Sequence, residues 1–352
     1  MKNKFLYAIL AIACMCSCSD DLYEQLKRAQ NSGIPMFGHQ DDLMYGYKWT
    51  SLESGGNSFE KSDVFDVAGD YPAVLGLDLG GLEVDNECNL DGNDFESMRK
   101  AARIHYRRGG IVTLSWHLLN PLTGGDAWDV STPGVVASIL PGGDNHDKFM
   151  TWLDKVADYI EALEIPVIFR PFHEHSGNWF WWGVQDCTSE EFNMLWNMTY
   201  TYLTKEKKIH NMLWAISPDA NGIEFENWEE RYPGDDVVDI IGLDYYDYNL
   251  GNKYSEALRE ALLKMQAFSK EHNKLMALTE CGDEAIPNAG WWTGILGPAI
   301  DGIDICYLLV WRNANDAVKH NHYYGPHPDS PSAADFSEMV RNKKIALLST
   351  NR

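Results

Sequence analysis

The stretch PVIFRPFHE, residues 166–174, decides the fold. Its first seven residues form a short, nearly continuous apolar run, as a strand buried on both faces should. His173 and Glu174 follow at once, so the run ends in residues able to do chemistry. Seven further runs have the same character: Ile34 to Gly38, Tyr71 to Leu79, Ile111 to Trp116, Asn211 to Ser217, Val238 to Tyr245, Lys274 to Thr279 and Cys306 to Trp311. Amphipathic helices lie between them. Phe149, Leu153, Val156, Ile160 and Leu163 keep a three-four spacing, and so do Leu258, Leu262, Met265 and Phe268. Phe192, Leu195, Thr199 and Leu203 mark another, opened by the capping signal Thr188-Ser189-Glu190-Glu191. Strand and helix alternating eight times predict an α/β fold, a (β/α)8 TIM barrel in a single domain. A doubly wound open sheet is the rival, but it normally brings fewer strands and a glycine-rich phosphate loop. GxGxxG and GxxxxGK[ST] are both absent.

The length of 352 residues suits such a barrel of ~250 residues with decorated loops. Acidic residues outnumber basic ones 52 to 29, and the resulting net charge of −23 repels phosphate backbones and anionic lipid. Nucleic acid is thereby excluded as a partner. Thirteen Trp, 17 Tyr and 13 Phe in a chain so poor in bases point to a neutral ligand on which rings can stack, such as a sugar.

The first eighteen residues are not expected to be part of the fold. Lys2 and Lys4 precede an apolar stretch, Phe5 to Ala13, that is too short to span a bilayer. Cys14, Cys16 and Cys18 follow, and then Ser19-Asp20-Asp21. A small-residue run ending in cysteine resembles a bacterial lipoprotein signal, and Cys18 before Ser-Asp-Asp is similar to the export signal of Bacteroidota surface lipoproteins. That resemblance implies lipid attached at Cys18, with Cys14 the competing point. It implies an exported lipoprotein at the outer membrane, on the cell-surface or the periplasmic side, touching membrane through the anchor alone. Four cysteines remain, Cys88, Cys187, Cys281 and Cys306, at spacings that fit neither a CxxC metal site nor a disulfide scaffold. Cys281 and Cys306 sit in apolar strands and read as free, buried thiols.

Barrel enzymes carry their reacting groups at the carboxyl ends of strands. Here the runs end at His117, at His173 and Glu174, at Asp244 and Tyr246, at Glu280, and at Trp311 and Arg312. Glu174 and Glu280 therefore face one mouth from the fourth and seventh strands. Hydrolysis of a glycosidic bond needs such a pair, one acid to protonate the leaving oxygen and one base to attack or to activate water. Two isolated glutamates could equally be rim ion pairs. His173-Glu174-His175 is not a zinc motif, because its histidines are two apart on a strand end, and the chemistry implies neither metal nor cofactor.

The flanks RPFHEHSGNWFWWG (170–183), IGLDYYD (241–247), LTECG (278–282) and VWRN (310–313) carry more. In them the chain resembles the glycoside hydrolase family 26 β-mannanases, from about Phe37 to Asn313. The resemblance implies a retaining hydrolase of β-1,4-mannan, in which residues 19–352 form the catalytic domain after a signal of residues 1–18. Glu174 would be the general acid/base and Glu280 the nucleophile. His173 would contact the sugar near the cleavage point, and Tyr246 would hydrogen-bond the nucleophile. Trp311, Arg312 and His117 would line the sugar subsites on the non-reducing side, and Asp244 would position. The partner would be mannan or manno-oligosaccharide, the chain acting as a monomer. Members of the family also release mannobiose from chain ends or cleave β-glucan and xylan, and a glycan-binding protein on an inactive barrel should have lost one glutamate.

Residue chemistry agrees with these roles. Phe172, Trp179 and Trp181 around Glu174 favour its acid form by desolvation, whereas donors such as Tyr246 or Arg312 would keep Glu280 ionised. Trp152 and Trp196 read as helix core. At least one of Trp179, Trp181 and Trp182 should stack on a pyranose face, while Trp49, Trp116, Trp291 and Trp292 stay ambiguous. Long inserts at Leu82 to Asn93 and Leu118 to His146 could wall the cleft, and the segment Lys319 to His327 reads as a turn-rich loop over the mouth.

Overall fold

The computed structural model describes residues 19–51, 59–314 and 321–351; Cys14, Cys18 and the whole signal segment lie outside the described residues. Eight strands form the centre: β1 (Met36–Gln40), β2 (Val74–Asp78), β3 (Ile111–Trp116), β4 (Val167–Pro171), β5 (Met212–Ile216), β6 (Ile240–Asp247), β7 (Leu275–Asp283) and β8 (Tyr307–Val310). Each pairs in parallel with its chain neighbours, and β1 pairs with both β8 and β2, so the sheet closes into a barrel. Each apolar run contributes one strand, and β7 runs four residues beyond the Thr279 that ends its apolar stretch.

Alternation within the strands explains why the runs look continuous. Val112, Leu114, Phe169, Ile241 and Met276 face the outer layer of helices, while Ile111, Ile168, Ala215, Ile240 and Ala277 fill the barrel interior. Both faces are dry, so both sets are apolar. The helix His146–Leu163 buries the expected Phe149, Leu153, Val156, Ile160 and Leu163. At Thr188 the capping box forms, with Glu191 N–H donating to Thr188 Oγ1 and Thr188 N–H donating to Glu191 Oε2. The ambiguous Trp49, Trp116, Trp291 and Trp292 are all core residues, as are Trp152 and Trp196. Cys281 and Cys306 are free and buried.

The sequence offered no element before Ile34, yet residues 19–32 form a helix. Its stripe of Leu22, Leu26 and Ala29 packs on Met36, Ile111, Ile168 and Leu275 at the amino-terminal end of the barrel. Gln30 accepts a hydrogen bond from Met276 N–H at 2.8 Å, which ties the helix to the start of β7. The floor of the barrel is thereby sealed, and the open end is the carboxyl one.

At that open end one cation organises the loop after β4. Arg231 is buried and donates to the carbonyl oxygens of His175 (3.2 Å), Trp182 (3.1 Å) and Cys187. Its guanidinium also lies 4.9 Å from the Phe192 ring. Those carbonyls would otherwise be stranded in a loop crowded with tryptophan. Arg231→Ala leaves them unpaired and is expected to cost about 3 kcal/mol; a urea-unfolding midpoint within error of the wild type would refute this.

Candidate active site

β4 delivers Arg170 inward, two residues after Ile168 and on the same face, and then ends at Pro171. Beyond it the backbone turns sharply. Phe172 and Glu174 both lie in the left-handed region, at φ 51° and 54°, which costs a bulky residue of order 1–3 kcal/mol each. The turn is held by Glu174 N–H donating to Ser217 O (2.7 Å) and Trp182 Nε1–H donating to His173 O (2.8 Å). Glu174 is thus aimed into the barrel mouth by an enforced bend.

Glu280 reaches the same mouth by another device. Leu243 of β6 pairs with Leu278, but Asp244 pairs with Glu280, so β7 carries one extra residue there. β8 shows the same slip, with Leu308 against Leu278 and Val310 against Cys281. Without this bulge, strict alternation from outward-facing Leu278 would turn Glu280 outward too. With it, Thr279 donates inward to Asp244 Oδ1, Glu280 points into the mouth and Cys281 packs in the outer layer.

The two glutamates meet across a cleft of about 400 Å³, which also receives His117, His173, Trp179, Tyr246 and Trp311. One carboxylate oxygen from each of Glu174, Asp244 and Glu280 lies within 4.8 Å of the other two. Their surroundings differ. Arg170 donates to both Asp244 (2.7 Å) and Glu280, and Tyr246 Oη–H donates to Glu280 Oε2 at 2.6 Å. The Glu174 carboxyl accepts from Trp179 Nε1–H, at 2.5 Å to Oε2. Burial, and then the charges of Asp219, Glu280 and Asp244, push its carboxyl well above the usual range. Burial raises Asp244 to about 7 against the pull of Arg170. The site therefore separates one carboxyl held as an acid from one engaged by two donors.

Asp244 and Arg312 do not line the cleft. Asp244 is buried behind it with Arg170, Ser217 and Thr279. Arg312 is turned away, paired to Asp91 at 2.9 Å and 3.3 Å from the Tyr45 hydroxyl. The expectation of an arginine on Glu280 is thus met by Arg170 and not by Arg312, because the residue after Trp311 faces the β1 side. Of the three tryptophans after the acid, Trp181 and Trp182 are fully buried and Trp179 alone enters the cleft.

Sequence reasoning missed Arg170, Asp219, Trp128 and Phe180. Arg170 was legible, since counting alternate positions from Ile168 puts it inside. Asp219 follows the end of β5 and lines the cleft beside Glu174, its backbone clamped to Ser176 by N–H donation to Oγ at 2.9 Å. Trp128 comes from the insert expected to wall the cleft, half-exposed and stacked on His117 at 5.2 Å between ring centres. His322 and Tyr324, from the loop expected over the mouth, also line it.

The model of glycosyl hydrolase family 26 matches residues 19–290. A mannan endo-1,4-β-mannosidase of Bifidobacterium adolescentis is 31% identical over 355 residues, covering 93% of this chain and 34% of that protein. A mannan endo-1,4-β-mannosidase of Bacillus subtilis strain 168 is 32% identical over 200 residues, covering 53% of this chain and 54% of that one. The chain thus spans only a third to a half of the length of these relatives. Among solved structures, a family 26 β-mannanase from Bacteroides ovatus superposes with a TM-score of 0.88 at 42% identity, covering 95% of this chain and 96% of the other. With more than half of its residues matched by the family model, and with paired glutamates at the ends of strands β4 and β7, the chain belongs to glycosyl hydrolase family 26.

Proposed function

We propose that the protein is a retaining, endo-acting β-1,4-mannan hydrolase, with Glu174 as acid/base and Glu280 as nucleophile. The observation that carries this reading is the contrast between two carboxyl groups across one cleft. Glu174 is pushed towards its protonated form by burial and by neighbouring carboxylates. Glu280 accepts from Arg170 and Tyr246, donors that suit an anion about to attack. One oxygen of each carboxylate lies within 4.8 Å of the other, which supports the close spacing of retaining enzymes, ~5–5.5 Å between carboxyl groups, over the wider gap that inverting ones leave for water. The names of the Bifidobacterium, Bacillus and Bacteroides relatives support mannan as the substrate.

In this mechanism the Glu174 proton passes to the glycosidic oxygen as its bond to the anomeric carbon breaks. Glu280 forms the new bond to that carbon. Water then enters, gives its proton to Glu174 and releases the sugar with Glu280 restored. Trp179, Trp311 and His117 offer rings and a polar edge to the sugars, His173 lies next to the acid, and Asp244 and Arg312 act from behind the cleft wall.

The same reading holds that the chain is exported and carries lipid at Cys18, or at Cys14. The helical residues 19–32 seal the barrel end opposite the cleft, so an anchor on the segment that precedes them in the chain would leave the cleft facing away from the membrane. Among the described residues no helix is long and apolar enough to cross a bilayer. Replacing both cysteines should move the enzyme from the membrane fraction to the soluble one, and unchanged fractionation would reject the anchor.

Two kinetic outcomes follow from the assigned roles. On mannohexaose, an NMR time course should show the β-anomer first, with mixed oligosaccharides from the earliest times. The α-anomer first would mean inversion, and mannobiose alone would mean attack from a chain end. Glu174→Ala should lose ~10²–10⁴-fold on mannan but far less on an aryl mannoside whose leaving group needs no proton, with azide restoring turnover. Glu280→Ala should fail on both substrates. The reverse pattern would exchange the two roles.

A further inference from the structure

Asp78 ends β2 beneath the cleft, is fully buried, and has no role in the chemistry described above. Its Oδ1 accepts from Gly80 N–H (2.7 Å) and His117 N–H (3.2 Å). Its Oδ2 faces Ser115 Oγ (2.6 Å) and His117 Nδ1 (2.7 Å). Backbone N–H groups can only donate, so Oδ1 must be an acceptor. Burial opposes ionisation of Asp78, but His117 and these donors hold its carboxyl below the usual range. An ionised carboxylate has no hydrogen to give, so His117 must carry one on Nδ1.

The other edge of His117 is more informative. Its Nε2 lies 3.1 Å from Nε2 of His173, and both rings line the cleft. Two facing lone pairs would repel and two facing hydrogens would collide, so one hydrogen lies between them. With His117 neutral and protonated on Nδ1, that hydrogen belongs to His173 Nε2. Nδ1 of His173 is then a bare lone pair. That atom is buried without a partner among the described residues, and a stranded lone pair is better tolerated there than a stranded N–H. Two independent observations, at opposite ends of the chain of contacts, select the same tautomers.

We propose that Asp78 is a positioning residue which, through His117, fixes the tautomers of both cleft histidines, so that together they offer one lone pair and one N–H to a single sugar hydroxyl. A hydroxyl both donates and accepts, and this arrangement fixes the direction of its two hydrogen bonds: its hydrogen goes to His117 and its oxygen accepts from His173. The substrate being a glycan rests on the function proposed above; the tautomer assignment does not.

The arrangement has a pH limit. His117 faces Asp78 from β2, Glu280 from β7 and Asp91 from the insert after β2, as well as His173. Burial lowers its basicity, but those carboxylates outweigh it and its pKa is raised. His173 faces His117, Arg170 and His175, and burial followed by these neighbours holds it far below the usual range. A proton taken up on acidification therefore goes to His117 and removes the lone pair. The grip is present above the His117 pKa and lost as pH falls through it.

Asp78→Asn tests this. The backbone donors at Gly80 and His117 require the amide oxygen on their side, which turns the NH₂ toward His117 Nδ1. His117 must then accept there and carry its hydrogen on Nε2, reversing both tautomers. Histidine-selective ¹⁵N NMR on the free wild-type protein should show His117 protonated on Nδ1 and His173 on Nε2, exchanged in Asp78→Asn and unchanged in Ser115→Ala. The Asn variant should lose roughly 10–100-fold in kcat/KM on mannotetraose, the size expected for one or two misdirected hydrogen bonds. It should also lose the acid-side ionisation of the wild-type pH profile. Wild-type tautomers opposite to these, or tautomers unmoved by Asp78→Asn, would overturn the proposal whatever the enzyme cleaves. Reversed tautomers with wild-type kcat/KM would overturn the claim that the direction of the grip on the hydroxyl matters. A wild type inactive on mannan would sink the substrate reading and leave the NMR result to decide the role of Asp78.

Discussion

Arg170 is the charge on which the cleft depends. Asp244 and Glu280 converge on it, and among the described residues it is the only cation seen in ion pairs with these carboxylates. Burying carboxylates in a closed barrel costs several kcal/mol each unless they are paired, and breaking a buried pair by removing one partner costs ~3–5 kcal/mol. One guanidinium serves two carboxyl groups, and Glu174 and Asp219 are left over. Both respond as unpaired buried acids must, with pKa values pushed well above the ordinary range. The different surroundings of the two glutamates therefore follow from where the arginine lies, and the roles proposed for them rest on that difference. It reaches Glu280 and donates to it; it does not reach Glu174, whose carboxyl burial and neighbouring acids push well above the usual range.

Placing those groups requires breaking the regularity that builds the barrel. Strand alternation alone would put Glu280 outside, and a relaxed backbone would not hold Phe172 and Glu174 at positive φ. Both departures occur within a few residues of the reacting groups, and both are braced. Arg231 gathers the carbonyls of the loop after β4, and Trp182 packs against Phe180 at 4.5 Å between ring centres while its N–H holds His173 O. The tryptophan-rich stretch after the acid is thus mostly scaffold. Of its tryptophans only Trp179 enters the cleft, beside Phe180, and there it hydrogen-bonds Glu174 as well as offering a face.

What was legible from the sequence had a period, and what was not legible depended on breaks in period or on loops. Eight runs of buried strand, three helix stripes and a capping box rest on local patterns, and each appears in place. Helix 19–32 was overlooked because its apolar stripe is only Leu22, Leu26 and Ala29, short beside the signal-like residues before it. Arg312 was given a contact with Glu280 that belongs to Arg170, since adjacency to a motif tryptophan says nothing about which way the next side chain turns. The bulge at Thr279 leaves no compositional trace at all. Trp128 and His322 come from long connections, whose course is set by tertiary contacts and not by spacing.

Polarity along the barrel axis completes the account. The amino-terminal end is closed by apolar packing, Leu22 and Leu26 against strand starts, with little titratable chemistry inside. The carboxyl-terminal end concentrates carboxylates: Glu174, Asp219, Asp247, Glu280, Asp283 and Glu284 all border the cleft. Burial, followed by the charge of Asp247, raises Asp283 to about 7. Such a mouth disfavours anionic polymers and suits the neutral glycan proposed above, whose hydroxyls can satisfy acids that no cation reaches. The net charge of −23 extends the same bias over the surface. The uncharged polysaccharide proposed above would thus be favoured over charged ones before any contact with an individual sugar, by the sign of the charge carried around the mouth.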